Sequence, residues 1–126
     1  MGDVTRRLKN LAKELDIWII ALSQLNRDTV NPVPTLARIR DSGQISEAAD
    51  VVILIYRPEI NKKSYPNDFS NVETKGTAMI DIAKGRNIGL LRFICGFNAL
   101  TTCFYDLDSI PLIGNNIPDV EENNPF

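Results

Sequence analysis

The feature that most constrains how this chain can fold is an unbroken apolar run, Ile17-Trp18-Ile19-Ile20-Ala21-Leu22, that stops abruptly at Ser23-Gln24-Leu25-Asn26-Arg27. Six consecutive apolar residues, rich in β-branched side chains, suit a strand buried on both faces, as in a parallel sheet covered by helices. In open α/β sheets, ligands bind just beyond the carboxyl ends of such strands. Ser23, Gln24, Asn26 and Arg27 therefore stand either where chemistry is read out or in an ordinary polar loop that closes a core strand.

The flanking pattern extends this reading. Val4, Leu8, Leu11 and Leu15 recur at helical spacing, with Arg6, Arg7, Lys9, Lys13 and Glu14 between them. That predicts an amphipathic helix with Asp3 as its N-cap. A helix leading at once into an apolar strand is half of a repeating βα unit, and it implies a preceding strand that the chain does not supply. Part of a domain is therefore expected to be missing. Thr35 is expected to cap a short turn through Leu36 and Ile39, Asp41-Ser42-Gly43 reads as a turn, and a short helix follows through Ile45 to Ala49. Val51–Tyr56 predicts a second buried strand, and residues 58–75 a polar, mobile excursion. Gly76 to Lys84, Leu90 to Ile94 and Thr101 to Tyr105, with a turn at residues 96–99, predict an antiparallel meander at the sheet edge. The fold class expected is α/β, mostly parallel with helices, plus that antiparallel hairpin or meander. Residues 106–126, with Pro, Asn and acids, read as a flexible tail.

Several chemistries are excluded by composition. With no His among 126 residues, a nucleophile–His mechanism is ruled out and zinc loses its usual ligand. Cys95 and Cys103 make neither a disulfide framework nor a metal site. No apolar run approaches the roughly 18 residues that cross a bilayer, and the N-terminus has no signal-peptide core, so a cytosolic location is expected. All 14 Lys and Arg precede residue 93, against 11 acids in residues 1–105, leaving a body of +3; the tail from Asp106 holds five acids and no bases. A body this weakly basic can meet phosphates, but its charge alone does not establish nucleic-acid binding.

No GxxxxGK[ST] is present, since none of the seven glycines precedes a lysine. Without that loop there is no backbone cradle for a β-phosphate, so the chain alone is not expected to bind ATP in the P-loop manner. Asp81, inside a strand, is no substitute for a metal-binding acid. Three clusters remain. Gln24 closes the first apolar strand, and its amide can hydrogen-bond a γ-phosphate or position a water. Arg40, Asp41 and Gly43 offer a planar fork and an approachable backbone, or simply a solvent-facing turn with a local ion pair. Lys84 and Arg86 sit at the tip of a predicted hairpin. That is a geometry for reaching a neighbour's nucleotide as an arginine finger does, or an ordinary solvated turn.

Taken together, Ala-Leu-Ser-Gln-Leu-Asn-Arg, then Ile-Arg-Asp-Ser-Gly-Gln-Ile-Ser-Glu-Ala-Ala-Asp before a strand ending Ile-Tyr-Arg, then Ala-Lys-Gly-Arg-Asn, resemble the bacterial replicative hexameric DNA helicases of the DnaB type. The opening Arg-Arg-Leu-Lys-Asn-Leu-Ala-Lys-Glu-Leu fits the same family, and the resemblance covers roughly residues 3–105. It implies the C-terminal half of a RecA-like motor domain, in a hexameric ring that uses ATP and Mg²⁺ to unwind DNA 5′→3′. It further implies that Gln24 couples nucleotide state to DNA and that Arg40, Asp41 and Gly43 line the channel for single-stranded DNA. Lys84 and Arg86 would contact the γ-phosphate on the adjacent subunit.

Primase and the helicase loader would engage parts of the parent that lie outside this chain, and no nucleotide or metal is expected on this chain alone. Two departures stand out. The family's Arg-Asn-Gly-Pro turn is here Arg86-Asn87-Ile88-Gly89, and Asp41 replaces the more usual Glu. The alternatives are a recombinase or clock-type ATPase fragment, or a non-enzymatic nucleic-acid-binding or assembly module. If the strands before Ile17 are absent, its edge and apolar face would be bare, and self-association is expected.

Overall fold

Val51–Tyr56 forms the first strand of the sheet, β1, with side chains alternately buried and exposed. It follows α1 (Gly2–Leu15) and α2 (Ser42–Ala48) and precedes α3 (Pro58–Asn61), β2 (Thr77–Gly85), β3 (Leu91–Asn98) and β4 (Cys103–Tyr105). The computed structural model describes residues 2–28, 30–39 and 42–107. The residues predicted as a flexible tail lie outside that description from 108 onward. So do Arg40 and Asp41.

The four strands hydrogen-bond in the order β1-β2-β3-β4 and form an antiparallel sheet, which corrects the expectation of a mostly parallel one. The physical reason lies in the connections. Parallel neighbours need a crossover of a dozen or more residues, usually a helix packed on the sheet. Here β2 and β3 are joined by the tip at residues 86–90, and β3 and β4 by a turn at residues 99–102. The run that suggested a central parallel strand, Ile17–Leu22, joins no ladder among the described residues. Only Leu25, just beyond it, makes an isolated antiparallel bridge, to Ile39. β1 is likewise not buried on both faces. Val52, Leu54 and Tyr56 point inward while Val51, Ile53 and Ile55 are exposed.

The described residues divide into two compact units, those within 2–56 with Ile80–Arg92, and Arg57–Met79 with 93–107. In the first, Ile39, Val52 and Leu54 form the buried centre, with Leu25, Leu36, Ile45, Ala49 and Ala83 packed around it. α1 packs against α2. It ends where Asp16 turns left-handed (φ 52°) and the Ile17 N–H reaches back to the Ala12 carbonyl at 3.0 Å, a Schellman closure with Asp in the place Gly usually takes. Asp3 is not the N-cap; it lies inside the first turn and pairs with Arg7 at 3.5 Å. Thr35 does precede a 3₁₀ turn, Leu36–Arg38, but its side chain makes no capping hydrogen bond.

In the second unit, the predicted excursion contains α3 and a 3₁₀ turn at Asn67–Phe69. Tyr65, 2% exposed, shares a hydrogen bond of 2.8 Å with Thr77 Oγ1, which donates in turn to the Glu73 carbonyl at 2.7 Å. Met79, Ala78 and Pro58 are buried here. β3 runs on to Asn98 where a turn had been expected at 96–99, with Gly96 opposite Tyr105 and Asn98 opposite Cys103. The true turn is set by Asn98, whose Oδ1 accepts the Leu100 and Thr101 N–H groups. The Tyr105 ring packs over Gly96, where a Cβ would lie 2.1 Å from it, so a side chain there would displace the ring. Cys95 is buried and Cys103 exposed, both as free thiols.

Candidate functional site

The residues with chemical potential gather where β1 begins and β2 ends, inside the first unit. Asp50 immediately precedes β1. Its carbonyl accepts the Arg86 N–H at 2.9 Å, closing the sheet at that end. Its carboxylate Oδ1 lies 3.1 Å from Arg86 Nη1, and Oδ2 accepts from Lys9 Nζ on α1. One carboxylate therefore holds two cations from two separate elements. The Lys9 hydrogen bond, then the charges of Lys9, Arg86 and Lys13, hold the Asp50 carboxyl below the ordinary carboxylate range against the opposing effect of desolvation.

The hairpin supplies the reach. Gly85 ends β2, and a Cβ there would lie 2.5 Å from the Gly89 carbonyl, so the tip closes only with glycine at that position. Gly89 takes the left-handed conformation, φ 74°, that completes the turn. Arg86 projects from this support with its side chain 53% exposed, and Asp50 is its one side-chain partner among the described residues. A guanidinium carries five N–H donors in a planar fork, so most of its capacity faces outward.

Lys84, two residues earlier, behaves differently. Its ammonium donates to the Ser46 carbonyl and lies 3.5 Å from the Glu47 carbonyl, both near the C-terminal end of α2. Helix C-terminal carbonyls are the expected partners for a cation. The structure thus brings Lys84 and Arg86 to one end of β2 but turns them to different tasks.

The other expected residues are less gathered. Gln24 is exposed, one residue before the Leu25–Ile39 bridge. Gly43 is exposed near the start of α2, with nothing within 4 Å of where a Cβ would stand, so the backbone is open to a ligand there. Arg40 and Asp41, expected beside it, lie outside the described residues. Asp81, inside β2, pairs with Arg92 at 2.7 Å.

Three residues carry weight that the sequence reading did not give them. Asp50 and Lys9 are the first two; Asp50 was visible as the acid directly before the second apolar run, while nothing local marked Lys9. Arg38 is the third. Its guanidinium gathers the carbonyls of Asn26 at 2.7 Å, Pro32 at 2.7 Å and Val33 at 2.9 Å, pinning the loop that follows the first apolar run. In the same loop, Asp28 accepts the Val30 and Asn31 N–H groups, which lowers its carboxyl pKa. No signal in the sequence separated Arg38 from Arg40.

Comparison with known proteins adds the context. A family described as the DnaB-like helicase C terminal domain matches residues 1–106. The replicative DNA helicase DnaB of Pasteurella multocida is 42% identical over 97 residues, covering 73% of this chain but 19% of the relative. That of Haemophilus influenzae is 39% identical over 110 residues, covering 85% of this chain and 22% of the relative. Among solved structures, one of a DnaB-like replicative helicase described together with its interactions with primase superposes with a TM-score of 0.70 at 32% identity. It covers 84% of this chain and 25% of that one. The chain spans about a fifth of the length of the curated relatives it matches.

Proposed function

The chain belongs to the DnaB-like helicase C-terminal domain family, and on that premise we propose that residues 1–105 form the C-terminal half of a RecA-like motor domain in an ATP-driven replicative DNA helicase. The parent is a hexameric ring that moves 5′→3′ on single-stranded DNA in the cytoplasm. Its primase and loader contacts are made by parts outside this chain.

The observation that carries the reading is Arg86, half-exposed at a hairpin tip and anchored to Asp50 by both main chain and side chain. In the ring, Arg86 reaches the γ-phosphate held by the adjacent subunit, and Lys84 stands beside it. Gln24 couples nucleotide state to the DNA loop of Arg40, Asp41 and Gly43.

ATP with Mg²⁺ supplies the phosphoryl transfer that powers the ring. The residues of this chain do not fit a site of their own for either. The sequence has no P-loop, and so supplies neither the phosphate cradle nor the hydroxyl that would hold Mg²⁺. A guanidinium presented from outside fits a phosphate offered by a neighbour, and the isolated chain is inactive on this account. No described helix is long and apolar enough to cross a membrane.

The test is Arg86→Ala in the parent ring. Trans-acting arginines contribute about 10³–10⁵ in rate to other nucleotide hydrolases. ATP turnover should fall by about that much while ATP binding persists; turnover near normal would refute the assignment.

A further inference from the structure

α2, Ser42–Ala48, has no basic side chain in its last turn to meet its final carbonyls. The last four carbonyls of a helix lack intrahelical donors, and a cation is a favourable neighbour for them. The Ile45 carbonyl is taken by the Ala49 N–H at 3.0 Å. The Ser46 and Glu47 carbonyls are met from outside by the Lys84 ammonium, 38 and 37 residues further along the chain. Lys84 thus does for α2 what a basic residue in the helix's own last turn would do.

Ser46 carries this contact back toward the start of the helix. Its hydroxyl donates to the Gly43 carbonyl at 3.2 Å. A peptide unit is planar, so holding that carbonyl holds the whole plane between Gly43 and Gln44. Gly43 itself is exposed, with nothing within 4 Å of where a Cβ would stand. Ser46 therefore has Lys84 on its carbonyl and Gly43 on its hydroxyl. Alanine would serve the helix better at this position, so what the hydroxyl adds is orientation. Ile45 and Ala49 pack against the buried centre and hold α2 down between these two ends. The Arg86 N–H, on the Asp50 carbonyl at 2.9 Å, keeps the end of β2 beside the end of the helix. Every residue in this path lies in the first unit.

We infer that Ser46 and Lys84 are positioning residues for the Gly43 backbone. Lys84 fixes the Ser46 peptide at the end of α2, and the Ser46 hydroxyl fixes the peptide plane that single-stranded DNA meets at Gly43. The inference rests on the reading of Gly43 as a DNA contact given above, and it gives Lys84 a task on its own subunit. A strand approaching Gly43 finds a backbone already held in one orientation, which removes part of the ordering cost of binding. Neither contact needs a nucleotide to be present.

The test uses this chain without nucleotide, so that no phosphate contact of Lys84 in a ring enters the result. A dT oligonucleotide is titrated by fluorescence anisotropy at low ionic strength. Ser46→Ala should weaken binding about three- to tenfold, the effect of one hydrogen bond. Its urea midpoint should hold or rise, because Ala favours helix over Ser. A merely structural serine would lower the midpoint and leave the affinity of the folded chain unchanged. Lys84→Met keeps the length of the side chain and removes the donor; amide exchange across α2 should quicken and binding fall by a similar factor. The double variant should bind no worse than the weaker single one, since both act on one path. Losses that multiply would mean two separate routes and overturn the proposal, as would full affinity in Ser46→Ala or unchanged α2 exchange in Lys84→Met. Gly43→Ala, whose Cβ meets nothing in the fold, reads the underlying assignment. If it weakens binding while Ser46→Ala does not, this inference falls and the Gly43 reading stands. If binding is indifferent to Gly43→Ala, or absent from the wild-type chain, the Gly43 reading falls and takes this inference with it.

Discussion

Asp50 grips Arg86 twice, through its carbonyl at 2.9 Å from the Arg86 amide and through its carboxylate at 3.1 Å from the guanidinium. The same carboxylate accepts from Lys9. A single residue at the foot of β1 thereby ties α1, β1 and the hairpin tip together.

That tie should loosen in acid. The Asp50 carboxyl is held below its ordinary value of 3.8, foremost by the Lys9 hydrogen bond. A depressed native pKa means that the unfolded chain binds more protons in the interval between the two values, so stability rises with pH there. The contribution is complete above the unfolded value and is lost as pH falls through the native one. Asp28, lowered by the Asn31 and Val30 amides, acts in the same direction. Urea midpoints compared between about pH 6 and pH 3 should fall for the wild type and fall less for Asp50→Asn. Equal slopes for the two proteins would remove Asp50 from this role.

Arg38 should matter for stability rather than for hydrolysis. Arg38→Ala frees the carbonyls of Asn26, Pro32 and Val33 that its guanidinium now holds. Hydrogen bonds to charged groups contribute about 1.5–3 kcal/mol, and partial solvent exposure places this site toward the lower end. Amide exchange across residues 26–33 should accelerate, and Arg38→Lys should not rescue it, because a point charge cannot replace the planar fork. Unchanged exchange in Arg38→Ala would show that the loop is held by other means.

The apolar run of the N-terminal third should drive self-association of the isolated chain. Trp18, Ile20 and Leu22 are 98%, 87% and 96% exposed, and their segment joins no ladder among the described residues. A contiguous bare apolar edge of this kind recruits another strand or surface. Sedimentation should show oligomers that dissociate in Trp18→Lys/Ile20→Lys; a monomer at high concentration for the unsubstituted chain would end the idea.

Local signals were legible wherever one element could satisfy them. Val4, Leu8, Leu11 and Leu15 located α1, the Val51–Tyr56 run located β1 residue for residue, and the glycines around Arg86 marked a hairpin. Asn98 was misread because its side chain, rather than the nearby Gly96, makes the turn; the glycine is there to admit the Tyr105 ring. Arg38 was passed over for Arg40 because neighbouring arginines look alike until the carbonyls they reach are placed. Lys9 looked like any solvated lysine, since its partner lies 41 residues away.

Periodicity, spacing and motif order by themselves located α1, α2 and β1, showed that the sequence holds no phosphate-loop motif, and pointed to the family it resembles. These depend on residues within a turn or two of each other, or on their order alone. Tertiary structure decided that the sheet is antiparallel, that Ile17–Leu22 stays bare, and that Lys84 serves α2 while Arg86 faces outward on Asp50. Such outcomes depend on which hydrogen-bond partner is present at a strand edge and which opposite charge comes within reach, and both are set by residues far apart in the chain.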